Sequence, residues 1–279
     1  MSASTARKSS GRSGPPVAKS RLDLLLVQRG LCETRARAQA RILAGDVLVD
    51  DRPVTKAGTA VDEAAPIRLR GEALPYVSRG GLKLAGALDR WAIDPTGLVC
   101  FDAGASTGGF SDCLLQRGAV RIYAVDVGTN QLHWKLRSDA RVVSMEQVNL
   151  RTWDPATIPE RCDLLVADLS FISLRLAIPP VLPSLKPGAQ AVLLVKPQFE
   201  AGRDDVGAGG IVRDPAVHRR VVLEIWKFFA ATPLAPQALA VSPIKGGEGN
   251  IEFLLRLALG QPPGSLAQAM ADLDAQQAG

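Results

Sequence analysis

The sequence is poor in the residues that build metal sites and disulfide frameworks. Its 279 residues include only two histidines, and its four cysteines, Cys32, Cys100, Cys113 and Cys162, are widely separated and form no C-x-x-C pair. This spacing excludes a zinc knuckle and a thioredoxin-type redox motif. Isolated reduced thiols are typical of cytoplasmic proteins, so we expect a cytoplasmic protein. Because histidines are few and the cysteines are not paired, we expect no metal ion.

Long apolar runs and a secretory signal are also missing. The apolar runs, for example AVLLV at residues 191–195, are far shorter than the roughly 18–20 residues that a membrane-spanning helix needs. Residues 1–20 contain no apolar stretch of the kind that a secretory signal has. Hydrophobic residues still make up 47% of the chain and charged residues 22%, which indicates an ordinary folded core. We expect no membrane partner, and the composition predicts no particular oligomeric state.

Positive charge is concentrated near the N-terminus. Residues 1–20 contain four Lys or Arg and no acid, while the net charge of the whole chain is +5. We predict a disordered basic arm over residues 1–20, a small compact module over 21–75, a larger module over 76–259 and a flexible tail over 260–279. A basic end joined to a different module indicates nucleic-acid binding, although a solvated basic tail has the same composition.

The small module combines an arginine-bearing helix with a hairpin. Thr34 is placed to cap a helix that runs to Ala44. Arg37 and Arg41 are four residues apart and share one face of that helix, and Arg35 is expected beside them. The strands VLVD and IRLRG follow. Guanidinium groups spaced in this way can lie along RNA phosphates, although a solvated helix face would show the same spacing.

The stretch RLDLLLVQRGLCETRARAQARILAGDVLVDDRPV resembles the RNA-binding fold of the ribosomal protein S4 type. It has the RLD opening, the Arg-rich second helix and the G-x-V-x-V hairpin of that family, with Asp50–Asp51 where the family often has Asn-Gly. The resemblance implies binding to structured RNA. The cations expected to contact RNA are Arg21, Arg35, Arg37, Arg41 and Lys56.

The large module opens with a strand, a glycine-rich turn and a helix, in the run VCFDAGASTGGFSDCLLQRG. Gly104, Gly108 and Gly109 allow a tight turn that can approach a ligand closely. Asp126 ends the next predicted strand, 24 residues after Asp102, where an acid is well placed to hydrogen-bond ribose hydroxyls. A dinucleotide and S-adenosylmethionine would both satisfy this arrangement, and so would a turn that binds nothing.

Details of the turn favour S-adenosylmethionine over a dinucleotide. The dinucleotide motif is G-x-G-x-x-G, and here Ser106 occupies the position of its second glycine. Asp102 stands two residues before the first glycine, which resembles the D-x-G opening of Rossmann-like methyltransferases. The fold class we predict is therefore α/β, a Rossmann-like methyltransferase sheet with a small N-terminal α+β module.

Two further buried runs end in polar residues. CDLLVADLSFISL has Asp168 at the end of its apolar run, and GAQAVLLVKPQFE has Lys196. Ligands in open α/β sheets bind beyond the carboxyl ends of the strands, so we expect these two side chains to share one crevice. Each residue alone is also explained as a capping Asp or a solvated Lys.

Taken together, the segments SRGGLKL, DAGASTGGF, ADLSFISL, VKPQFEAGR and GNIEFLL resemble the TlyA family of RNA 2′-O-methyltransferases, whose members are often labelled haemolysins. They are similar also to methyltransferases of the RrmJ/FtsJ type, which use a Lys–Asp–Lys–Glu tetrad. That tetrad falls on Lys83, Asp168, Lys196 and Glu252, and Glu248 is a nearby alternative carboxylate. The resemblance implies cytidine 2′-O-methylation of 23S, and in some members 16S, ribosomal RNA, with ribosomal subunits as partners.

The implied cofactor is S-adenosylmethionine, and the strand ends indicate which residues hold it. Lys196 is expected to act on the ribose hydroxyl, either as a general base or as an electrostatic clamp, and both roles stay open. The residues expected to bind the cofactor are Asp102, Ala103, Gly104, Ser106, Gly108, Gly109, Phe110, Asp126 and Asn149.

Other functions are compatible with parts of the sequence. A non-catalytic RNA-binding or ribosome-assembly factor would keep the fold without methyl transfer. A membrane-lytic haemolysin would need an apolar span or a basic amphipathic helix with an aromatic face. A dehydrogenase would need the dinucleotide motif, and a pseudouridine synthase would not explain the D-x-G turn.

Overall fold

The computed structural model describes residues 19–50, 52–70, 74–246 and 249–278. The chain divides into two compact units, residues 1–73 and residues 74–279. Most of the predicted basic arm, Asp51 of the predicted turn and the alternative carboxylate Glu248 lie outside the described residues.

The N-terminal unit is a small α+β fold. Strand β1 pairs antiparallel with β4, and β3, β2 and β5 form a second antiparallel sheet in that order. Its elements are β1 (Lys19–Arg21), α1 (Leu22–Gln28), α2 (Arg35–Leu43), β2 (Val47–Val49), β3 (Arg52–Pro53), β4 (Ala60–Asp62) and β5 (Ile67–Leu69). Lys19 and Ser20, predicted to belong to the disordered arm, are instead the first residues of β1, because backbone pairing with β4 continues to Lys19.

Helix α2 begins where the sequence predicts. The side-chain oxygen of Thr34 accepts a hydrogen bond from the backbone N–H of Arg37 at 3.3 Å, which confirms Thr34 as the N-cap. Ala38 and Ile42 are fully buried and pack with Leu22 of α1 in the core of the unit.

The C-terminal unit has a seven-stranded sheet in the order β11-β12-β10-β9-β6-β7-β8. Strands β8, β7, β6, β9 and β10 are parallel, and β12 runs antiparallel to β10 and β11. Its elements are α3 (Gly80–Arg90), β6 (Val99–Ala103), α4 (Gly109–Gln116), β7 (Arg121–Val125), α5 (Trp134–Arg137), β8 (Val142–Met145), β9 (Cys162–Ala167), α6 (Leu174–Ala177), β10 (Leu185–Val195), α7 (Pro197–Glu200), α8 (Pro215–Ala230), β11 (Leu234–Val241), β12 (Phe253–Leu259) and α9 (Leu266–Ala278). The predicted α/β class with a small N-terminal α+β module is confirmed.

The sheet is covered on both faces, which explains its continuous apolar strands. Phe101 of β6 belongs to the apolar cluster that contains Phe229 of α8, whereas its neighbour Cys100 belongs to the cluster that contains Leu88 of α3 and Leu114 of α4. Asp126, Asp168 and Lys196 directly follow the parallel strands β7, β9 and β10, at their carboxyl ends. Among the described residues, no helix combines the length and apolarity that crossing a membrane requires.

The C-terminal segment differs from the flexible tail that we expected over residues 260–279. After the break at QPPG the chain forms α9, and Ala269, Met270 and Leu273 of this helix are buried. The backbone N–H of Val241 in the edge strand β11 also donates to the side chain of Gln276 at 3.0 Å. The expected tail is instead helical because Ala269, Met270 and Leu273 pack into the apolar core of the unit.

Candidate active site

The four side chains of the predicted tetrad come from different elements. Lys83 lies on α3, Asp168 directly follows β9, Lys196 directly follows β10, and Glu252 directly precedes β12. Because β9 and β10 are parallel neighbours, Asp168 and Lys196 extend from the same edge of the sheet. The antiparallel pairing of β10 with β12 brings Glu252 to that edge as well.

The tetrad is arranged as two ion pairs; Lys83–Glu252 is buried, and in Lys196–Asp168 the lysine is buried while the carboxylate is partly exposed. Lys196 Nζ lies 2.6 Å from Asp168 Oδ1 and donates a hydrogen bond to Ser170 Oγ at 3.0 Å. Lys83 Nζ donates to Glu252 Oε2 at 2.5 Å. Both lysines are buried, so solvent screens these pairs much less than it screens ion pairs at the surface.

One pocket joins the tetrad to the glycine-rich turn. It has a volume of about 260 Å³, and three of the tetrad residues, Lys83, Asp168 and Lys196, line it. The other residues that line it are Ser78, Arg79, Gly80, Gly104, Ala105, Ser106, Thr107, Gly109, Phe110, Ser170, Lys245 and Gly246. The predicted cofactor turn and the predicted catalytic residues therefore share a cavity.

Close packing explains why the turn needs glycine. Gly104 has φ +80°, and a Cβ there would lie 2.9 Å from the carbonyl oxygen of Asp168. At Gly109 a Cβ would lie 2.2 Å from Ser78 Oγ and 2.8 Å from the backbone nitrogen of Gly81. A side chain at Gly104 would displace the backbone of Asp168, and one at Gly109 would displace the start of α3.

Asp102 is a fully buried carboxylate beneath the turn. Its Oδ2 accepts a hydrogen bond from Ser111 Oγ at 2.7 Å, while its Oδ1 has no hydrogen-bond partner within the described ranges. Burial raises the pKa of Asp102 to about 7, and the nearby negative charges of Asp168 and Asp126 act in the same direction. A buried carboxylate with a free oxygen fits a ligand that carries a positive charge.

Asp126 directly follows β7 and contacts the glycine-rich turn at Ser106. Its Oδ2 accepts a hydrogen bond from the backbone N–H of Ser106 at 2.8 Å, and its Oδ1 accepts one from Gly128 at 2.7 Å. Each carboxylate oxygen can accept a second hydrogen bond, so Asp126 can support the turn and still bind ligand hydroxyls. Ser106 has φ +47°, a left-handed conformation in the place of the motif glycine.

The predicted cofactor residues fall into two groups. Gly104, Ser106, Gly109 and Phe110 line the pocket directly. Asn149 is exposed, and its side chain accepts a hydrogen bond from the backbone N–H of Arg151 at 3.0 Å. The predicted cofactor residues that are not among the pocket-lining residues are Asp102, Ala103, Gly108, Asp126 and Asn149.

Phe171, which follows Asp168 by three residues, was not among the residues that the sequence singled out. Its backbone has φ +64°, unusual for an aromatic residue, and its side chain is 90% exposed. The ring packs on Phe199 with centroids 4.9 Å apart. The only hint of this residue in the sequence was its position in ADLSF, directly after the serine that follows the strand end.

Glu200, also unpredicted, ties the Phe171 loop to the segment after Lys196. Its buried carboxylate accepts hydrogen bonds from Ser173 Oγ at 2.6 Å and from the backbone N–H of Leu174 at 2.7 Å. Burial raises the pKa of Glu200. Two sets of contacts thus join the loop after β9 to the segment after β10. Lys196 contacts Asp168 and Ser170, and Glu200 contacts Ser173 and Leu174.

The five cations predicted to bind RNA lie in the N-terminal unit in different settings. Arg21 and Arg35 contact a common carboxylate, Asp23. Arg37 pairs with Glu33 at 2.6 Å on the surface. Arg35, which was expected beside the face of Arg37 and Arg41, contacts Asp23 of α1 through its Nε. Lys56 is exposed.

Comparison with known proteins identifies both units. FtsJ-like methyltransferases match residues 76–259, and the S4 domain matches residues 20–67. "Putative rRNA methyltransferase YqxC" of Bacillus subtilis is 50% identical over 240 residues, covering 86% of this chain and 85% of that protein. "16S/23S rRNA (cytidine-2'-O)-methyltransferase TlyA" of Mycobacterium tuberculosis is 44% identical over 240 residues, covering 86% and 90%.

A solved structure agrees with these matches. The "putative hemolysin" from Streptococcus thermophilus superposes with a TM-score of 0.71 at 42% identity, covering 95% of this chain and all of that one. The resemblances predicted from the sequence are confirmed for both units.

Proposed function

Because the chain belongs to the family of FtsJ-like methyltransferases and carries an S4 domain, we propose that its substrate is ribosomal RNA. It would methylate the 2′-hydroxyl of cytidine with S-adenosylmethionine. One arrangement carries the proposal: the ion pairs of two buried lysines, Lys196 with Asp168 and Lys83 with Glu252, at the pocket lined by the glycine-rich turn. A relative that shares 44% identity bears the name of a 16S/23S rRNA (cytidine-2'-O)-methyltransferase.

The residues around the turn fit S-adenosylmethionine. The free Oδ1 of buried Asp102 matches a positively charged group, and the close packing of Gly104 against the Asp168 carbonyl fixes the turn beside it. Asp126 would accept hydrogen bonds from the ribose hydroxyls. When bound, the cofactor supplies a methyl group on a sulfonium, which is electrophilic. Gly104, Ser106, Gly109 and Phe110 would surround it.

The Lys196–Asp168 pair would prepare the ribose hydroxyl. A hydroxyl is a weak nucleophile until its proton is removed or its developing charge is stabilised. The Lys196 ammonium, held by Asp168 and Ser170, would donate a hydrogen bond to the hydroxyl oxygen as it becomes negative. The proton would pass to the carboxylate of Asp168. Lys196 would thus act as an electrostatic clamp, and Glu252 would hold Lys83 at the same pocket.

RNA would approach the pocket past Phe171. Its exposed ring offers a face on which a nucleotide base can stack. Arg79 and Lys245 line the same pocket and would attract the phosphates on either side of the target ribose. Because ribosomal subunits would be the substrate, the protein would act in the cytoplasm.

Family membership decides between the enzymatic alternatives, because a methyltransferase is neither a dehydrogenase nor a pseudouridine synthase.

An experiment on methyl transfer separates the enzyme from a protein that only binds RNA. Labelled S-adenosylmethionine is incubated with unmodified 30S and 50S subunits and either the wild type or Lys196→Ala. We expect label in RNA at a linkage that resists alkali, with the wild type only. Cofactor binding without any transfer to either subunit would reject the proposal in favour of an RNA-binding factor.

A further inference from the structure

Asp23 is a fully buried carboxylate on α1 of the N-terminal unit that contacts two arginines at once. Arg21 donates to it from Nε at 3.0 Å and from Nη2 at 3.0 Å. Arg35 donates from Nε at 2.9 Å, and Gln39 donates from its amide at 2.9 Å. These hydrogen bonds hold the pKa of Asp23 well below its usual range despite burial, and the bond from Arg21 contributes most.

The two guanidinium groups are fixed on their inner side and open on their outer side. The side chains of Arg21 and Arg35 remain 48% and 52% exposed. Arg35 uses only Nε, so both of its Nη groups stay available, and Arg21 keeps Nη1. Within the described part of the chain, neither guanidinium makes any other hydrogen bond or ion pair.

The charges of this cluster do not cancel. One carboxylate faces two guanidinium groups, so the three side chains carry a net charge of +1, and both arginine side chains reach the surface. Arg37 is different, because its partner Glu33 is 80% exposed and balances it one to one. A phosphodiester carries one negative charge and two terminal oxygens, and guanidinium groups bind such oxygens through paired N–H donors.

We infer that Asp23 is a positioning residue that fixes Arg21 and Arg35 side by side as a binding site for one phosphodiester group of RNA. Asp23 binds the inner N–H groups, and the phosphate oxygens would accept from the outer ones. The ordering of two long side chains then precedes RNA binding, which lowers its entropic cost. This inference rests on the proposed action on ribosomal RNA.

The full-length Asp23→Asn variant tests this idea, because two explanations predict opposite signs. If the basic surface attracts RNA only by its overall charge, then removing a negative charge leaves binding unchanged or strengthens it. If Asp23 positions the arginines, Asp23→Asn weakens binding to unmodified 30S or 50S subunits by about tenfold. Asp62→Asn is the matched control, since it removes a carboxylate of the same unit that bonds only a local backbone N–H.

A second variant decides the matter if Asp23→Asn fails to fold, which circular dichroism and thermal melting would reveal. Arg35→Gln leaves Asp23 bonded to Arg21 and Gln39. It should lower the slope of log affinity against log salt by about one, the loss expected for one phosphate contact. An unchanged slope, or wild-type affinity in a folded Asp23→Asn, overturns the inference. If the wild type itself binds neither subunit, the proposed function fails instead.

Discussion

Lys196 and Asp168 extend from neighbouring parallel strands and meet at 2.6 Å between Nζ and Oδ1, at the wall of the pocket. Ser170 accepts a second hydrogen bond from the same ammonium. The lysine is thus held in place by two groups from one loop, with its remaining N–H available to the pocket. A lysine held in this way suits the proposed role of a fixed cation better than that of a general base.

Substitution of Lys196 separates these two roles. Lys196→Ala should lower the rate of methyl transfer by about 10²–10³, the cost of removing one donor to a developing oxyanion. Lys196→Arg keeps the charge and should retain measurable activity, although arginine cannot take up a proton. Single-turnover transfer to ribosomal subunits measures both, with cofactor affinity from calorimetry as the control. Equal loss in the two variants would show that Lys196 must act as a base.

The pKa of Asp102 predicts how stability depends on pH. Burial raises this pKa from its ordinary value of 3.8 to about 7 in the folded protein. Between these values the folded state keeps a proton that the unfolded chain has lost, so stability falls as pH rises. The loss amounts to roughly 4 kcal/mol across this range. In Asp102→Asn, which cannot ionise, the free energy of unfolding should fall less between pH 4 and pH 7.

Urea denaturation at several pH values measures this effect. Asp139→Asn is the control, because a hydrogen bond from Arg141 lowers the pKa of Asp139 to about 2. Its stabilising contribution is lost only as pH falls below 3.8, so this variant should keep the wild-type slope between pH 4 and pH 7. If Asp102→Asn also keeps that slope, Asp102 is already ionised in the folded protein.

The sequence predicted the strand ends because periodic burial and glycine turns are local signals. Asp102, Asp168 and Lys196 could be named from the polar residue that follows each apolar run. The partnership of Asp23 with two arginines could not be predicted, since residues 12 positions apart meet only after α1 packs on α2. The left-handed backbone of Phe171 escaped prediction for a related reason, because contacts made across the chain hold its loop.

Gly104 provides a test of steric fit with a matched control. Gly104→Ala places a methyl group 2.9 Å from the carbonyl oxygen of Asp168, while Gly188 has a similar φ of +79° and a Cβ added there would have no neighbour within 4 Å. Both substitutions carry the conformational cost of a left-handed alanine, roughly 1–2 kcal/mol. Only Gly104→Ala should also abolish binding of S-adenosylmethionine in calorimetry. Equal cofactor affinity in the two variants would show that the close approach at Gly104 is not needed.

Phe171 should contribute to RNA recognition and little to stability. Its side chain is 90% exposed, so Phe171→Ala removes few buried contacts, and the melting temperature should stay near that of the wild type. Loss of base stacking costs about 1–3 kcal/mol, which should appear as a lower kcat/KM for ribosomal subunits, with unchanged cofactor affinity. Phe171→Tyr keeps an aromatic face and should retain activity.

Two further variants separate the ring from its backbone. Phe171→Gly relieves the left-handed strain at φ +64° and should be at least as stable as Phe171→Ala, but it should be equally impaired in methyl transfer. Leu176→Ala trims another exposed apolar side chain, on α6, and should leave transfer unchanged. If Phe171→Ala transfers methyl groups at the wild-type rate, the ring serves only to pack on Phe199. Recovery of activity in Phe171→Gly alone would instead mean that the loop conformation matters and the aromatic face does not.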